Sequence, residues 1–493
     1  MFDALVLWEP LPYWLLAIAW VFDVGIRLVM LGVVPGNRRP TTAMAWLLLI
    51  FFMPVIGLLL FLLFGNFKLS QRRVARQTDV NRRVLAATQH LDTDDSEFDA
   101  PEWVKSAVEL NRNLGAFPIQ EGNSFEFFTD YQASLDAMTA AVRGARDTVN
   151  VQFYIVGDDP DYAGPFLDAL GAAVARGVKV RFLFDHLGTA RIKGFSALKR
   201  RLDDAGIEWR AMLPVSVRNR QWRRPDLRNH RKLVVIDGET AFTGSQNLIE
   251  PGYKRASAHR AGREWVDLMA QVRGPLVTGL AVVFATDWSQ ETDENLLAEL
   301  VAGTELPEAG HVTGQIVPSG PGFESENNLR LFNTLIYAAT ERLTITSPYF
   351  VPDDSLLYAV TTAAQRGVEV ELFVSETGDQ FLVHHAQQSY YAQLLKAGVK
   401  IYRYRRPMVL HTKCFTVDKE VAVFGSSNMD MRSFSLNLEV SVMMLGATAV
   451  AELTRVQNEY RAGSTLLTLG EWQARPLLAR WVDNACRLTA TLQ

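Results

Sequence analysis

The sequence predicts an α/β protein of two similar halves related by a pseudo-twofold axis, preceded by an N-terminal transmembrane helical hairpin. Three observations support this prediction. A six-residue motif occurs twice, shorter segments repeat in the same order around each copy, and two long apolar runs precede both copies. Repeated sets of strands and helices that each bury one face are expected to pack as related α/β layers.

The two apolar runs extend from Leu11 to Val34 and from Thr41 to Gly65. Each is about as long as the roughly 20 residues that cross a bilayer core. The second run contains no charge, and Asp23 and Arg27 in the first are four residues apart, so they can pair on one helix face. A signal peptide fits poorly, because the chain begins with acidic instead of basic residues. Buried core helices are the other alternative for both runs.

Positive charge near the runs predicts their orientation. The second run is followed by the basic residues Lys68, Arg72, Arg73 and Arg76. The link between the runs contains only Arg38 and Arg39. Because basic residues favour the cytoplasmic side, we expect a multi-pass protein of the inner (cytoplasmic) membrane with its large C-terminal part in the cytoplasm. Two spans would place both termini on that side.

We expect four regions along the 493 residues. They are the membrane hairpin (1–65), a polar juxtamembrane connector with some helix (66–119), the first half (120–305) and the second half (306–493). Two short segments repeat between the halves: 176–180 matches 366–370, and 205–207 matches 397–399. Each half therefore runs strand, helix, strand, helix and then a hairpin that carries the motif.

The motif H-x-K-x4-D-x6-G-S-x-N occurs at His230, Lys232, Asp237, Gly244, Ser245 and Asn247, and again at His411, Lys413, Asp418, Gly425, Ser426 and Asn428. One chance match is expected about once in 10^8 starting points, so coincidence does not explain two. Apolar segments at 233–236, 241–243, 414–417 and 421–424 predict strands around both copies. Two histidines buried in a core for packing alone would fit one copy but not both.

The residue types of the motif indicate chemistry on a phosphate ester. Imidazole attacks phosphorus or moves a proton near neutral pH, and lysine and asparagine donate to the phosphate oxygens. We expect the two copies to meet across one pocket. Asp237 and Asp418 lie at odd spacing from the lysines, so we expect them to hold backbone or arginine partners although they belong to the motif.

This duplicated motif resembles the signature of the phospholipase D superfamily. Over nearly the whole chain the resemblance is to bacterial cardiolipin synthases with a membrane hairpin, carried also by residues 42–46, Pro54, Gly57 and 64–65 and by the segment 347–352. The resemblance implies two phospholipase D-like repeats, no cofactor and no metal.

The resemblance also implies that one histidine forms a covalent phosphohistidine and the other transfers protons. It assigns the nucleophile to His230 and the acid/base role to His411, and the opposite assignment stays open because the halves look alike. The phosphate would be bound by Lys232, Lys413, Asn247 and Asn428, with Ser245 and Ser426 close by. If a second phosphatidylglycerol is the acceptor, the products are cardiolipin and glycerol; if water is, the protein is a phospholipase.

A supporting carboxylate is predicted in each half by alignment of the repeats. Asp267 lies seven residues before Gly274, and Glu439 lies seven before Gly446. Each would hold the second nitrogen of an imidazole and fix its tautomer. Glu264 is a rival in the first half, and solvated surface charges are the other alternative.

Basic residues precede both motifs, at Arg218, Arg220, Arg223, Arg224, Arg228 and Arg231 and at Arg403, Arg405 and Arg406. They favour phosphatidylglycerol and other anionic membrane lipids as partners. Trp222, Tyr402 and Tyr404 lie among them, so a nuclease is a second reading. We expect no nucleic acid, because two spans favour lipid. The sequence also permits a homo-oligomer and, less well, a non-catalytic scaffold.

Overall fold

The computed structural model describes residues 12–36, 38, 40–65, 71–89, 100–215, 226–292, 294–297, 300, 306–323 and 326–490. The chain divides into two compact units, residues 1–68 and 69–493. Some of the residues named in the sequence predictions lie outside the described residues: Arg39, Lys68, Arg218, Arg220, Trp222, Arg223, Arg224 and the side chain of Arg72.

The first unit contains three apolar helices, α1 (Tyr13–Val33), α2 (Pro40–Phe52) and α3 (Pro54–Phe64). Among the described residues, α1 is the helix that is long and apolar enough to cross a membrane. Asp23 and Arg27 form the predicted pair on its surface, 2.8 Å apart. The first predicted span is therefore present as one helix.

The second apolar run forms two helices, so the prediction of one continuous helix over 41–65 is wrong. Pro54 has no N–H to donate and disfavours helical backbone at Met53, where the helix breaks. Helix α3 then folds back on α2, since a Cβ on Gly57 would lie 2.7 Å from the Cα of Ile50. The Trp46 and Phe61 rings pack edge to face across this pair, 5.4 Å apart.

The second unit begins with α4 (Gln71–Ala87) and α5 (Glu102–Gly115), which lie in the expected connector. Both pack on the body of the unit. Arg73 on α4 pairs with Glu291 at 2.5 Å, and Asn111 on α5 donates to the carbonyl of Ile316 at 3.0 Å.

The first half contains the following elements: β1 (Ile119–Phe128), α6 (Tyr131–Arg143), β2 (Thr148–Phe153), α7 (Ala163–Ala175), β3 (Lys179–Asp185), α8 (His186–Ala190), α9 (Phe195–Asp204), β4 (Glu208–Met212), β5 (Arg228–Asn229), β6 (Leu233–Ile236), β7 (Thr240–Gly244), α10 (Ala256–Arg260), β8 (Trp265–Val266), β9 (Met269–Arg273) and α11 (Leu276–Glu291). The two motif strands β6 and β7 form a buried antiparallel hairpin, as predicted.

The second half repeats this order with the following elements: β10 (Val312–Ser319), α12 (Asn327–Ala338), β11 (Arg342–Thr346), β12 (Phe350–Val351), α13 (Asp354–Gln365), β13 (Glu369–Ser375), α14 (Phe381–Ala397), β14 (Lys400–Tyr404), β15 (Val409–Leu410), β16 (Cys414–Val417), β17 (Val421–Gly425), β18 (Met429–Asp430), α15 (Met431–Ser435), β19 (Asn437–Leu445), α16 (Ala447–Ala462), β20 (Ser464–Leu467), α17 (Leu469–Gln473) and α18 (Leu477–Arg487). Strands β16 and β17 form the second motif hairpin, as predicted.

One 16-stranded sheet runs through both halves, in the order β20-β14-β13-β11-β16-β17-β19-β10-β1-β9-β7-β6-β2-β3-β4, with β5 paired to β19. The order from β10 outward mirrors the order from β1 outward, except that β20 is added at one edge. Strands β1 and β10 pair antiparallel where the halves meet. This mirrored order is the pseudo-twofold arrangement that the repeats predict.

Two short strand pairs cross between the halves beside the central strands. Strand β5 of the first half pairs parallel with β19, and β15 of the second half pairs parallel with β8. Each crossing ends at a motif histidine, because His230 N donates to Leu438 O at 2.9 Å and His411 N donates to Val266 O at 2.8 Å. The backbone thus brings each histidine into the opposite half.

Candidate active site

Each motif histidine is held by a carboxylate of the other half. His230 Nδ1 lies 2.9 Å from Glu439 Oε2, and His411 Nδ1 lies 2.7 Å from Asp267 Oδ1. The alignment of repeats pointed to these two carboxylates, but it could not indicate that they cross between halves. Glu264, the rival to Asp267, instead lies directly before β8, where its carbonyl accepts a hydrogen bond from Val409 N.

The carboxylates fix the tautomer of both imidazoles. An ionised carboxylate only accepts hydrogen bonds, so Nδ1 of each ring is the donor. The carbonyl of Ser426 also lies 3.1 Å from His230 Nδ1 and can only accept. The lone pair of each neutral ring is therefore on Nε2, where it can attack phosphorus or take a proton.

The two carboxylates are not equally satisfied. Glu439 accepts hydrogen bonds from Ser426 Oγ at 2.6 Å, Ser433 Oγ at 2.9 Å and Asn437 Nδ2 at 3.2 Å, in addition to His230. Asp267 accepts from Ser245 Oγ at 2.6 Å and from His411, both on Oδ1. Its Oδ2 is buried and has no hydrogen-bond partner among the described residues. More of the negative charge of Asp267 is thus available to its histidine.

Burial keeps both imidazoles neutral, whereas neighbouring hydrogen-bond donors and positive charges keep both carboxylates ionised. Burial lowers the pKa of His230 to about 4, against the opposing charge of Glu439. It also lowers the pKa of His411, with Lys413 adding to the shift. Burial works to raise the pKa of Asp267, but His411, Lys413 and Ser245 outweigh it and hold that pKa at about 2. A neutral imidazole next to a carboxylate is the form that a nucleophile or general base needs.

Both motif lysines are buried beside the histidines of their own half. Lys232 Nζ donates to the carbonyl of His230 at 2.5 Å, and Lys413 Nζ donates to the carbonyl of His411. Burial lowers the pKa of Lys413 to about 8 and that of Lys232 well below its usual value. The charge of Lys413 helps to lower the pKa of Lys232, so the two lysines influence the same part of the site. Two buried ammonium groups without a full set of anionic partners suit an anionic ligand.

The remaining polar motif residues differ in their contacts. Ser245 and Ser426 donate to Asp267 and Glu439, so the structure places them on the carboxylates. Asn247 accepts from the backbone of Ile155 at 3.1 Å and donates to Tyr253 at 2.9 Å.

Asn428 differs from Asn247, because its Oδ1 is buried and has no hydrogen-bond partner among the described residues. Of the two asparagines, the side chain of Asn428 is therefore the less engaged.

Asp237 and Asp418 lie away from the imidazoles, in the turns that follow β6 and β16. Asp237 accepts from the backbone N–H groups of residues 146–148 at 2.8–2.9 Å. Asp418 accepts from those of residues 340–342 at 2.7–2.9 Å and from Thr340 Oγ1. Both adopt positive φ, 51° and 50°, which aspartate tolerates in a tight turn. Each thereby ties its motif hairpin to the start of a neighbouring strand.

The structure adds two tyrosines that the motif does not contain. The ring of Tyr154 lies 4.9 Å from that of His230, and that of Tyr349 lies 6.4 Å from that of His411. Lys232 Nζ also lies over the Tyr154 ring, 5.6 Å from its centroid. Tyr349 belongs to the segment 347–352 singled out in the sequence, whereas Tyr154 had no signal beyond its place after a predicted strand.

Two of the arginines that precede the first motif form buried ion pairs. Arg228 pairs with Asp185 at 3.0 Å, and Arg231 pairs with Asp287 at 2.6 Å. Their expected contact with lipid headgroups is therefore wrong, because both charges are neutralised inside the protein. Arg405 and Arg406 are exposed, and Arg403 is half-buried.

Comparison with known families gives two matches that together cover most of the chain. Residues 138–259 and 332–460 each match the family model described as "Cardiolipin synthase, PLD-like domain". Residues 14–66 match the model described as "Phospholipase_D-nuclease N-terminal".

Similar proteins extend over nearly the full length. Cardiolipin synthase A of Proteus mirabilis (strain HI4320) is 35% identical over 482 residues, which is 96% of both chains. Cardiolipin synthase A of Yersinia pseudotuberculosis (serotype O:1b, strain IP 31758) is 35% identical over 484 residues, 96% of this chain and 95% of the relative. The crystal structure of phosphatidylserine synthase from Haemophilus influenzae Rd KW20 covers 78% of this chain and 99% of its own, with a TM-score of 0.60 at 14% identity, which supports the fold.

Proposed function

The chain belongs to the cardiolipin synthase family of phospholipase D-like proteins, and we propose that it transfers a phosphatidyl group from one phosphatidylglycerol to another, giving cardiolipin and glycerol. The observation that carries the proposal is the pair of buried histidines, each held through Nδ1 by a carboxylate of the opposite half. Relatives named cardiolipin synthase A match over 96% of the chain and support the choice of product.

The reaction has two displacements. In the first, His230 Nε2 attacks the phosphorus of phosphatidylglycerol, a P–N bond forms, and the P–O bond to the headgroup glycerol breaks. His411 carries a proton on Nε2 when the anionic lipid is bound, as an imidazolium beside Asp267, and it gives this proton to the leaving glycerol oxygen and becomes neutral. In the second, His411 takes the proton from a headgroup hydroxyl of another phosphatidylglycerol as that oxygen attacks phosphorus, and the P–N bond to His230 breaks.

The difference between the two carboxylates supports this division of roles. The acid/base histidine becomes positive in each cycle, so it gains most from a neighbouring carboxylate whose charge is not shared. Asp267, beside His411, has one oxygen without a hydrogen-bond partner among the described residues, whereas Glu439 shares its charge among four donors beside His230. We therefore assign proton transfer to His411 and nucleophilic attack to His230.

The phosphate of the lipid would lie between the two lysines. Lys232 and Lys413 would donate to its non-bridging oxygens as negative charge builds there, and Asn428 would contribute a further donor. We assign no phosphate contact to Asn247, Ser245 or Ser426, since each already serves another group.

A membrane location fits a reaction in which both substrates are lipids. Helix α1 provides an apolar segment of spanning length, and the basic residues after Gly65 favour a cytoplasmic position for residues 69–493. The regions 120–305 and 306–493 would act together as the catalytic part, with helices α4 and α5 packed on it.

The proposal is tested by incubating the purified protein with phosphatidylglycerol vesicles in the presence of EDTA. Mass spectrometry follows cardiolipin and released glycerol, for the wild type and for His230→Ala and His411→Ala. His311→Ala serves as a matched control, because His311 is exposed and lies outside the motif.

We expect the wild type and the control to form cardiolipin and glycerol in equal amounts. The two motif variants should form both products far more slowly than the wild type. Phosphatidic acid without cardiolipin would overturn transfer in favour of hydrolysis. Absence of any lipid turnover would overturn the lipid substrate and direct the same assay to nucleic acid.

A further inference from the structure

Arg38 shows where the helix pair α2–α3 begins and ends. Its guanidinium donates to the carbonyl of Val34 at 2.8 Å, just after α1, and to that of Gly65 at 2.7 Å, just after α3. It also lies over the Phe61 ring, 4.7 Å from the centroid. Arginine commonly binds the free carbonyls at helix C-termini. The end of α1, the start of α2 and the end of α3 therefore lie at one level.

The lengths of the helices separate α1 from the other two. At about 1.5 Å per residue, the 21 residues of α1 extend about 31 Å, which matches a hydrocarbon core of about 30 Å. The 13 residues of α2 and the 11 of α3 extend about 20 and 16 Å, so neither crosses it. A straight helix over 40–64 would put Gly65 about 38 Å from Pro40, which the contact with Arg38 excludes.

The turn between α2 and α3 is suited to hydrocarbon and not to water. Phe52, Met53 and Val55 are 81%, 47% and 63% exposed, and all are apolar. Backbone hydrogen bonds continue on both sides of Pro54, because Met53 N donates to Leu49 O at 2.8 Å and Gly57 N donates to Met53 O at 2.6 Å. A broken helix with paired backbone groups can remain inside a bilayer.

We propose that the second apolar run is a re-entrant hairpin, which enters and leaves the membrane on the same side, so that the chain crosses the bilayer once. Basic residues flank the hairpin in the sequence at both of its ends, and a hairpin of this kind keeps its two ends, at Arg38 and at Gly65, on one side of the membrane. The segment before α1 has no Lys or Arg and carries Asp3 and Glu9. The charge rule places the basic side in the cytoplasm, and the N-terminus therefore lies on the opposite side from residues 69–493.

Cysteine labelling of membrane vesicles tests this topology. Buried Cys414 and Cys486 are replaced by alanine, and single cysteines are introduced as Tyr13→Cys, Gly36→Cys, Met53→Cys or Arg82→Cys. A cysteine at Gly36 is tolerated, since its Cβ would have only Val33 O within 4 Å, at 3.6 Å. A membrane-impermeant maleimide is added to right-side-out or inside-out vesicles, and labelling in detergent shows that every position can react.

We expect Gly36→Cys and Arg82→Cys to react in inside-out vesicles, Tyr13→Cys in right-side-out vesicles, and Met53→Cys only in detergent. Labelling of Gly36→Cys on the side opposite to Arg82→Cys would overturn the proposal, because the run would then span. Labelling of Tyr13→Cys on the same side as Gly36→Cys would overturn it as well. The readout is independent of enzymatic activity, so it stands apart from the proposed reaction.

Discussion

The two halves of the catalytic unit carry their motifs on equivalent hairpins but surround their histidines with different side chains. The histidine of the first half relies on Glu439, whose two oxygens accept from four side chains. The histidine of the second half relies on Asp267, whose Oδ2 accepts from no described residue. The halves therefore share a scaffold but hold their imidazoles with carboxylates that differ in their hydrogen bonds, and this difference is the basis on which we propose two chemical roles for one sequence motif.

The largest difference between the halves is expected in covalent trapping. His230→Ala removes the nucleophile, so no phosphatidyl group becomes attached to the protein. His411→Ala slows proton transfer by about 10²–10⁴-fold but leaves the nucleophile in place. Of these two variants, intact-protein mass spectrometry after prolonged incubation with phosphatidylglycerol should show the adduct in His411→Ala only. An adduct in His230→Ala alone would reverse the assignment.

The two carboxylates provide the next comparison. Asp267→Asn and Glu439→Gln should each lower kcat by about 10²–10⁴-fold, because the amide no longer stabilises an imidazolium or fixes the tautomer. The loss should be greater for Asp267→Asn, because that residue serves the histidine that becomes charged. Steady-state kcat values of the two variants measure this difference. Circular dichroism checks that both variants are folded as the wild type is. Equal losses would mean that the halves do not differ in role.

Lys413 should produce an alkaline limit of activity. Its pKa is about 8, so the ammonium is charged below that pH and is lost as the pH rises through it. Above pH 8, kcat/KM should fall about tenfold per pH unit as phosphate binding weakens. On the acid side activity should persist to about pH 4–5, because His230 is neutral above its pKa of about 4.

Lys413→Arg provides the matched control for this limit, since arginine stays charged throughout the range. The alkaline fall should disappear in this variant, even if its maximal rate is lower. Persistence of the same fall would show that another group causes it.

The smallest effect on chemistry is expected at the two aspartates of the motif. Asp237→Asn and Asp418→Asn should each reduce the free energy of unfolding by about 1–3 kcal/mol, since one charged acceptor for several backbone N–H groups is weakened. The kcat of folded protein should stay within about threefold of wild type. Denaturant unfolding in detergent, together with activity of the folded fraction, checks both values. A large loss of kcat at unchanged stability would give these residues a chemical role.

Much of the fold could be predicted from local patterns. The motif strands at 233–236 and 414–417 were predicted from short apolar or β-branched runs, and the structure gives them the same bounds. The break at Met53 was missed because composition measures how apolar a run is, whereas one proline decides whether it stays straight.

The site was predictable as a set of residues but not as a set of contacts. Asp267 and Glu439 emerged from alignment of the repeats, yet their exchange between halves depends on the β5–β19 and β8–β15 pairings. Three of these strands, β5, β8 and β15, have two residues each, which is too short to leave a pattern in the sequence. The burial of Arg228 and Arg231 was likewise invisible, because their partners Asp185 and Asp287 are distant along the chain.

The crossed carboxylates also constrain how this chain can change with time. A duplicated segment ordinarily leaves one copy free to drift while the other keeps its task. Here a substitution at Asp267 removes the carboxylate partner of His411, and one at Glu439 removes that of His230. Replacement of either copy alone would therefore remove the carboxylate partner of the histidine in the other copy.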